Sequence, residues 1–270
     1  MQVDERQLIC KPVEKGEAMT VLAMTDLRDA SVEMFEGEPE LAALLGCDPR
    51  TDHPVASALA ACLPEGPARA SVLRLATEVF SDPRLAELVL SDITTCATRD
   101  VDPGGLAGTL HFAHGLHALL SHRLTHALFG ANRRSLAMAV KAQFTRALGV
   151  DLLPQARIGR EVWFDHGLGL VIGQTAVIEA GVSLWHGVTL GSNLSDRGAD
   201  RHPKVREGAV IGAGALLIGN IEVGAGAVVA AGAIVTRSVP AHTTVAGPRA
   251  EDRPRRPGAF AGFPTPPDRS

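Results

Sequence analysis

The sequence predicts an α+β fold, in which an N-terminal α-helical domain is followed by a parallel β-solenoid. Three observations predict it. Ala- and Leu-rich runs with helical spacing fill residues 39–148. From about residue 156 the apolar residues recur in steps of six. That rhythm is interrupted twice, each time beside charged side chains.

Residues 1–38 show no pattern that assigns them a role. The opening MQVDERQLICKPVEKGEAMTVLAM has early acids and no long apolar core, so neither a secretory signal nor a membrane anchor is expected. No later segment is apolar without interruption over roughly 18 residues, and a cytoplasmic protein is the expectation. Cys10, Cys47, Cys62 and Cys96 are widely spaced without metal-like pairing and read as reduced, structural thiols. A net charge of −4 with no basic stripe argues against a nucleic-acid partner. The 46% hydrophobic content of this 270-residue chain supports a substantial core.

The helical domain is assigned to residues 39–150. Its runs are ASALAACL (56–63), ASVLRLATEVF (70–80), PRLAELVLSDITTCATRD (83–100) and GTLHFAHGLHALLSHRLTHALF (108–129). Pro64, Gly66, Pro83, Pro103 and Gly104 punctuate them, as helix boundaries often do. The last run holds His111, His114, His117, His122 and His126, with i, i+3 and i, i+4 spacings that could suggest a metal site. No cysteine or carboxylate cluster accompanies them, and no metal is expected.

The solenoid is assigned to residues 151–248. Val205, Ile211, Leu217, Val223, Val229 and Val235 are six apart, as are Ile172, Ile178, Leu184 and Leu190, and Ile158 with Phe164. Three places after most of them comes Gly, Asn or Ser, residue types that tolerate a tight corner. One large inward residue, a corner and a small residue per six describe a triangular coil. The step from Phe164 to Ile172 is eight, which adds two residues beside Asp165 and His166. The step from Leu190 to Val205 is fifteen, which extrudes the loop 192–203. Interruptions of a solenoid usually lie on one face and often carry the binding function. Residues 249–270 form a Pro- and Arg-rich tail expected to be mobile.

These stretches resemble a known family. DLLPQARIG (151–159), FDHGLGLVIGQTAVIEAGVSLWHGVTLG (164–191), DRHPKVREGAVIGAGALLIGNIEVGAGAVVAAG (200–232) and VPAHTTVAG (239–247) are similar to serine O-acetyltransferases, which are hexapeptide-repeat acyltransferases. SDPRLAELVLSDITTCATRD (81–100) and HGLHALLSHRLTHAL (114–128) resemble the family's N-terminal helices in order and spacing. The resemblance covers roughly residues 52–248 and includes both interruptions. It implies a left-handed β-helix and the transfer of an acetyl group from acetyl-CoA, as co-substrate, to the hydroxyl of L-serine. No cofactor is implied.

Such a transfer needs a base near a weakly acidic hydroxyl. The resemblance gives that part to His166, oriented by Asp151, since a carboxylate on the far ring nitrogen keeps a histidine basic. It makes Asp165 and Asp100 contacts of the amino-acid substrate. Arg201 becomes its carboxylate clamp, with His202 beside it. Asp100 is selected by ungapped alignment through Asp82-Pro83, and a two-residue slip would select Asp102. Gly191, Ser192, Ala213, Gly214, Ala233 and Pro248 correspond to the coenzyme A track, with backbone N–H groups near Gly191 available to an oxyanion. Trp185 and His186 sit where a coil faces the cleft, and either could shape the pocket or merely pack.

The chain departs from the family in several places, among them Val101 after Arg99-Asp100 where the family has proline, and a loop to Arg201 longer by one residue. Gly191-Ser192-Asn193 replaces Gly-Gly-Thr, and AGPRAED (246–252) lacks two residues of the usual loop along coenzyme A. The chain ends in Ser270 where family members that dock into O-acetylserine sulfhydrylase end in isoleucine, so that complex is not expected. A homotrimer or a hexamer of paired trimers is expected. Two alternatives stay open: the same chemistry on homoserine or a serine analogue, and a γ-carbonic-anhydrase-like zinc lyase drawing on His166, His186 and His202.

Overall fold

The change of period falls at Gly149, whose φ of 64° lies in the left-handed region and ends the last helix. The computed structural model describes residues 23–38, 40–100, 105–193 and 198–252. Asp102, most of the tail and Ser270 lie outside the described residues. Eight helices precede Gly149 among the described residues: α1 (Met24–Gly37), α2 (Glu40–Leu45), α3 (Pro54–Ala61), α4 (Pro67–Phe80), α5 (Pro83–Arg99), α6 (Gly105–Phe112), α7 (His114–Gly130) and α8 (Arg134–Leu148). Local chemistry explains several boundaries. Proline occupies the first turn of α3, α4 and α5, where its missing N–H costs nothing. Asp82 caps α5 by accepting from the N–H groups of Arg84 and Leu85 at 2.9 and 3.3 Å.

Two features differ from the sequence expectation. The run 108–129 is not one helix, because Ala113 turns extended between α6 and α7. Residues 24–37, within the segment given no role, form α1, which buries Leu27, Ser31 and Phe35 and packs on α3 and α6. The Ser31 hydroxyl is 3.1 Å from Nε2 of His111, and Phe35 meets that ring edge-on. His111 therefore ties α1 down.

The solenoid has three parallel sheets. The first sheet holds β1 (Asp151–Leu152), β4 (Val171–Ile172), β7 (Thr189–Gly191), β10 (Leu216–Ile218) and β13 (Ile234–Val235). The second holds β2 (Arg157–Ile158), β5 (Val177–Ile178), β8 (Lys204–Val205) and β11 (Glu222–Val223). The third holds β3 (Trp163–Asp165), β6 (Ser183–Trp185), β9 (Val210–Ile211), β12 (Val228–Val229) and β14 (Thr244–Val245). The register stacks the six-step residues in columns, such as Leu152, Ile172, Leu190, Leu217 and Val235. Of the residues that defined the repeat, all but Ile158 are buried. The two interruptions lie on different corners: residues 166–170 join the third sheet to the first, and the loop 192–203 joins the first to the second. They flank one sheet from its two edges.

Helices cover the N-terminal end of the solenoid. β1, β2 and β3 are the end strands of their sheets. α8 packs on β1, while α5 and α7 pack on β3. At β2 the work falls to Arg123 of α7, whose guanidinium donates to the carbonyls of Ile158 and Gly159 at 2.5 Å each and to Asp92 of α5 at 2.8 Å. Asp92 is fully buried and also accepts from the Glu161 N–H at 3.2 Å. Every nitrogen and oxygen of this ion pair has a hydrogen-bond partner, the condition under which a buried pair is tolerated.

Candidate active site

The corner after β3 is a tight one. The Gly167 N–H donates to the Asp165 carbonyl at 2.6 Å, which makes a three-residue γ-turn centred on His166 with φ of 57°. A non-glycine residue in that region stores strain, and such strain clusters at functional sites. The turn pushes the His166 ring outward, 67% exposed, while the Asp165 side chain is only 12% exposed. His166 Nε2 lies 3.7 Å from Asp165 Oδ2. One coil further on the same corner, the His186 ring sits 5.5 Å from that of His166. Trp185 beside it packs edge-on against Trp163.

The helical half supplies the facing wall. Asp100 ends α5, and the preceding Arg99 donates to Ser183 Oγ at 2.8 Å and to the Gly181 carbonyl at 3.2 Å, which docks the end of α5 onto the second coil. A cavity of about 220 Å³, roomy enough for a small amino acid, is lined by Asp100, Phe112, Ala113, His114, Gly115, Phe164, His166 and Leu168. Burial pushes the Asp165 carboxyl up from the usual range. His166 and His186 oppose that rise, and the negative charge of Asp100 adds to it. Two carboxylates and a histidine thus converge, a set that can hold an ammonium and accept a proton from a hydroxyl beside it.

The other expected residues fall into two groups. Ala213, Gly214 and Ala233 continue the His166 corner down the solenoid, with Gly214 N–H donating to the His186 carbonyl at 2.9 Å and Gly232 N–H to the Ala213 carbonyl at 2.8 Å. Gly247, next to Pro248, returns beside Ala233. Gly191 and Ser192 instead leave the far edge of the first sheet, where Arg201 and His202 are held. His202 is buried and accepts at Nδ1 from the Thr175 N–H at 3.2 Å, and that nitrogen is 2.8 Å from Thr175 Oγ1. Burial, then the charges of Arg201 and Lys204, push its pKa down, which favours the neutral ring. The Arg201 guanidinium reaches Gln174 Oε1 at 3.4 Å.

Within one chain, therefore, Asp100, Asp165, His166 and His186 meet, while Arg201 and His202 lie across the first sheet from them. Asp151 faces outward on β1 and is ion-paired with Lys141 of α8, not hydrogen-bonded to His166. Sequence reasoning missed Lys141, and gave no separate role to Arg99 or to His114, whose Nδ1 lies 2.9 Å from the His166 carbonyl oxygen. Among the described residues no three His, Cys, Asp or Glu side chains converge as metal ligands. His202 stays apart from His166 and His186. A larger groove of about 870 Å³ lies along the second sheet, but none of the expected site residues lines it.

No family model matches the sequence. Known proteins do. The chain is similar to serine acetyltransferase 2 of Arabidopsis thaliana, with 48% identity over 153 residues, 56% of this chain and 47% of that one. It is similar to the serine acetyltransferase of Haemophilus influenzae, with 39% identity over 236 residues, 85% of this chain and 88% of the relative. Among solved structures, a Brucella abortus serine acetyltransferase in complex with coenzyme A has 33% identity and a TM-score of 0.74 over 84% of this chain and 93% of its own. A Neisseria gonorrhoeae serine acetyltransferase in complex with serine has 31% identity and a TM-score of 0.75 over 87% and 98%. The chain spans about half the length of the Arabidopsis relative and 61% of that of the Escherichia coli enzymes it also matches. The likeness covers both the helical half and the left-handed solenoid.

Proposed function

Since the chain belongs to the serine acetyltransferase family, we propose that it transfers the acetyl group of acetyl-CoA to the hydroxyl of L-serine, giving O-acetyl-L-serine and coenzyme A. The observation that carries this reading is that Asp100 and His166 line one cavity, with the Asp165 carboxylate 3.7 Å from the His166 ring and within reach of the charge of Asp100.

In this reading the two carboxylates hold the substrate ammonium and so bring its hydroxyl to His166. The ring takes the hydroxyl proton as the oxygen attacks the thioester carbonyl. Backbone N–H groups stabilise the oxyanion. Collapse of the tetrahedral intermediate expels the coenzyme A thiolate, which receives the proton from His166. The pantetheine arm follows the corner track of Ala213, Gly214, Ala233 and Pro248. Asp151 keeps the orienting role, supported by the place of its strand beside the corner that follows His166: the Asp151 N–H donates to the Leu170 carbonyl at 2.8 Å.

Arg201 and His202 serve the substrate carboxylate from a neighbouring copy of the chain, and Gly191 and Ser192, which leave the same edge, serve coenzyme A from that copy. Two observations support this. These residues lie on the opposite edge of the first sheet from His166, so one chain cannot close both around one small molecule. The outer face between those edges carries an in-register column of Asp151, Val171, Thr189, Leu216 and Ile234, with Val171 37% and Ile234 69% exposed. A homotrimer, alone or paired into a hexamer, covers that column and makes three shared sites. No described helix is long and apolar enough to cross a membrane, and we assign the protein to the cytoplasm.

A thiol-release assay on the purified protein tests the reaction. Serine with acetyl-CoA releases free thiol, and His166→Ala lowers kcat by about 10²- to 10⁴-fold, the usual contribution of a positioned base. Homoserine and serine analogues in the same assay, compared by kcat/KM, decide the acceptor. No thiol release with any hydroxy amino acid would exclude this function.

A further inference from the structure

Regular corners of this solenoid hold their backbone by the next coil. The Gly187 N–H donates to the Leu168 carbonyl at 2.7 Å, and the Gly214 N–H donates to the His186 carbonyl at 2.9 Å. The two extra residues after Phe164 take the His166 carbonyl out of that ladder, and among the described residues no backbone N–H serves it. A side chain does so instead. His114, the first residue of α7, lies with Nδ1 2.9 Å from the His166 carbonyl oxygen. Because a carbonyl only accepts, Nδ1 carries the proton and the tautomer is fixed.

The approach is built into the fold. α6 and α7 break at Ala113, and the following Gly115 lies so close to Phe164 that a β-carbon there would overlap the Phe164 carbonyl oxygen. A β-carbon on Gly167 would in turn sit 2.7 Å from Gly115 Cα. The start of α7 is thus wedged against both sides of the γ-turn, and His114 reaches its apex. That apex is the one strained non-glycine residue in the turn, and its φ decides where the imidazole points.

We propose that His114 is a positioning residue for the acetyl transfer, holding the strained turn that aims His166 at the acceptor hydroxyl. The inference rests on the reading of His166 as the base. It gives the histidine series that makes no metal site one member at the reaction centre: His111 pins α1, His117 lies 2.7 Å from the Leu110 carbonyl oxygen, His126 lies 2.7 Å from that of Pro154, and His114 serves the site.

The experiment compares His114→Leu, which removes the donor, and His114→Asn, whose side-chain N–H replaces it, by steady-state kinetics on the assembled full-length protein. His166→Ala runs alongside. His114→Leu is expected to lower kcat roughly 10- to 100-fold, the scale of a small misplacement, with KM for acetyl-CoA within about 2-fold, and His114→Asn to recover most of the loss. Wild-type kcat in His114→Leu, or an equal loss in both variants, overturns the inference while leaving His166 as the base. A raised serine KM with unchanged kcat also overturns it, making His114 a substrate contact. An active His166→Ala protein instead removes the reading on which it rests.

Discussion

Gly115 of α7 and Phe164 of β3 touch backbone to backbone, with no room between them for even a methyl group. The residue that would have to move is main chain in the end strand of the third sheet, so relaxation is dear. Gly115→Ala should therefore cost roughly 2–3 kcal/mol or more, the upper range for overpacking a tight contact. It should also depress kcat by tilting α7 away from the His166 turn. Thermal unfolding and the thiol-release assay on the same preparation check both. A Gly115→Ala protein with unchanged Tm and kcat would show that the two halves are more loosely joined than described.

Acid should loosen the helical half through His111. Burial holds its pKa down at about 4, against an ordinary 6.5. A histidine depressed in the folded state binds its proton more readily in the unfolded chain. Its contribution to stability is whole above about pH 6.5 and falls away as pH drops towards 4, by at most about 3 kcal/mol. His117 and His122 are pushed down by burial too, in the same sense. Urea unfolding at pH 7 and pH 5 is the measurement. The wild type should lose about 2 kcal/mol more than His111→Gln over that interval, and equal losses would assign the acid sensitivity elsewhere.

Chains mutated on opposite edges of the first sheet should rescue one another. His166→Ala and Arg201→Ala homo-oligomers are each expected to be nearly inactive. Refolded or expressed together in equal amounts, they pair an intact His166 with an intact Arg201 at about a quarter of randomly mixed shared sites. Recovery of activity approaching that fraction is the expected result. No recovery, with mixed oligomers verified by mass, would mean that both residues serve the same substrate from one chain.

Much of the solenoid was legible because each six-residue step must supply an inward aliphatic residue, and a slip would expose it. Ile172, Leu190 and Leu217 are spaced by that demand and stack accordingly. Both interruptions were legible for the same reason. Which corner each occupies was not: it follows from counting sheets, and the expectation of one shared face gives way to two edges of one sheet. The break at Ala113 left no local mark, since the contact that dictates it, Gly115 on Phe164, joins residues far apart in sequence. Helix α1 was missed because only three of its side chains are buried and its anchor is a histidine on α6. The type of residue at 166 was readable, but the ion pair of Asp151 with Lys141 belongs to packing.

The cover over β1, β2 and β3 has a bearing on how the chain acquires its shape. As synthesis proceeds from the N-terminus, the helices are complete before the first coil leaves the ribosome, and Arg123 is ready to receive the carbonyls of Ile158 and Gly159. Each later coil then finds a finished edge on which to zip. A chain released early, after β11 for instance, would be a shorter tower on the same foundation, whereas one lacking α5 and α7 would have no foundation at all.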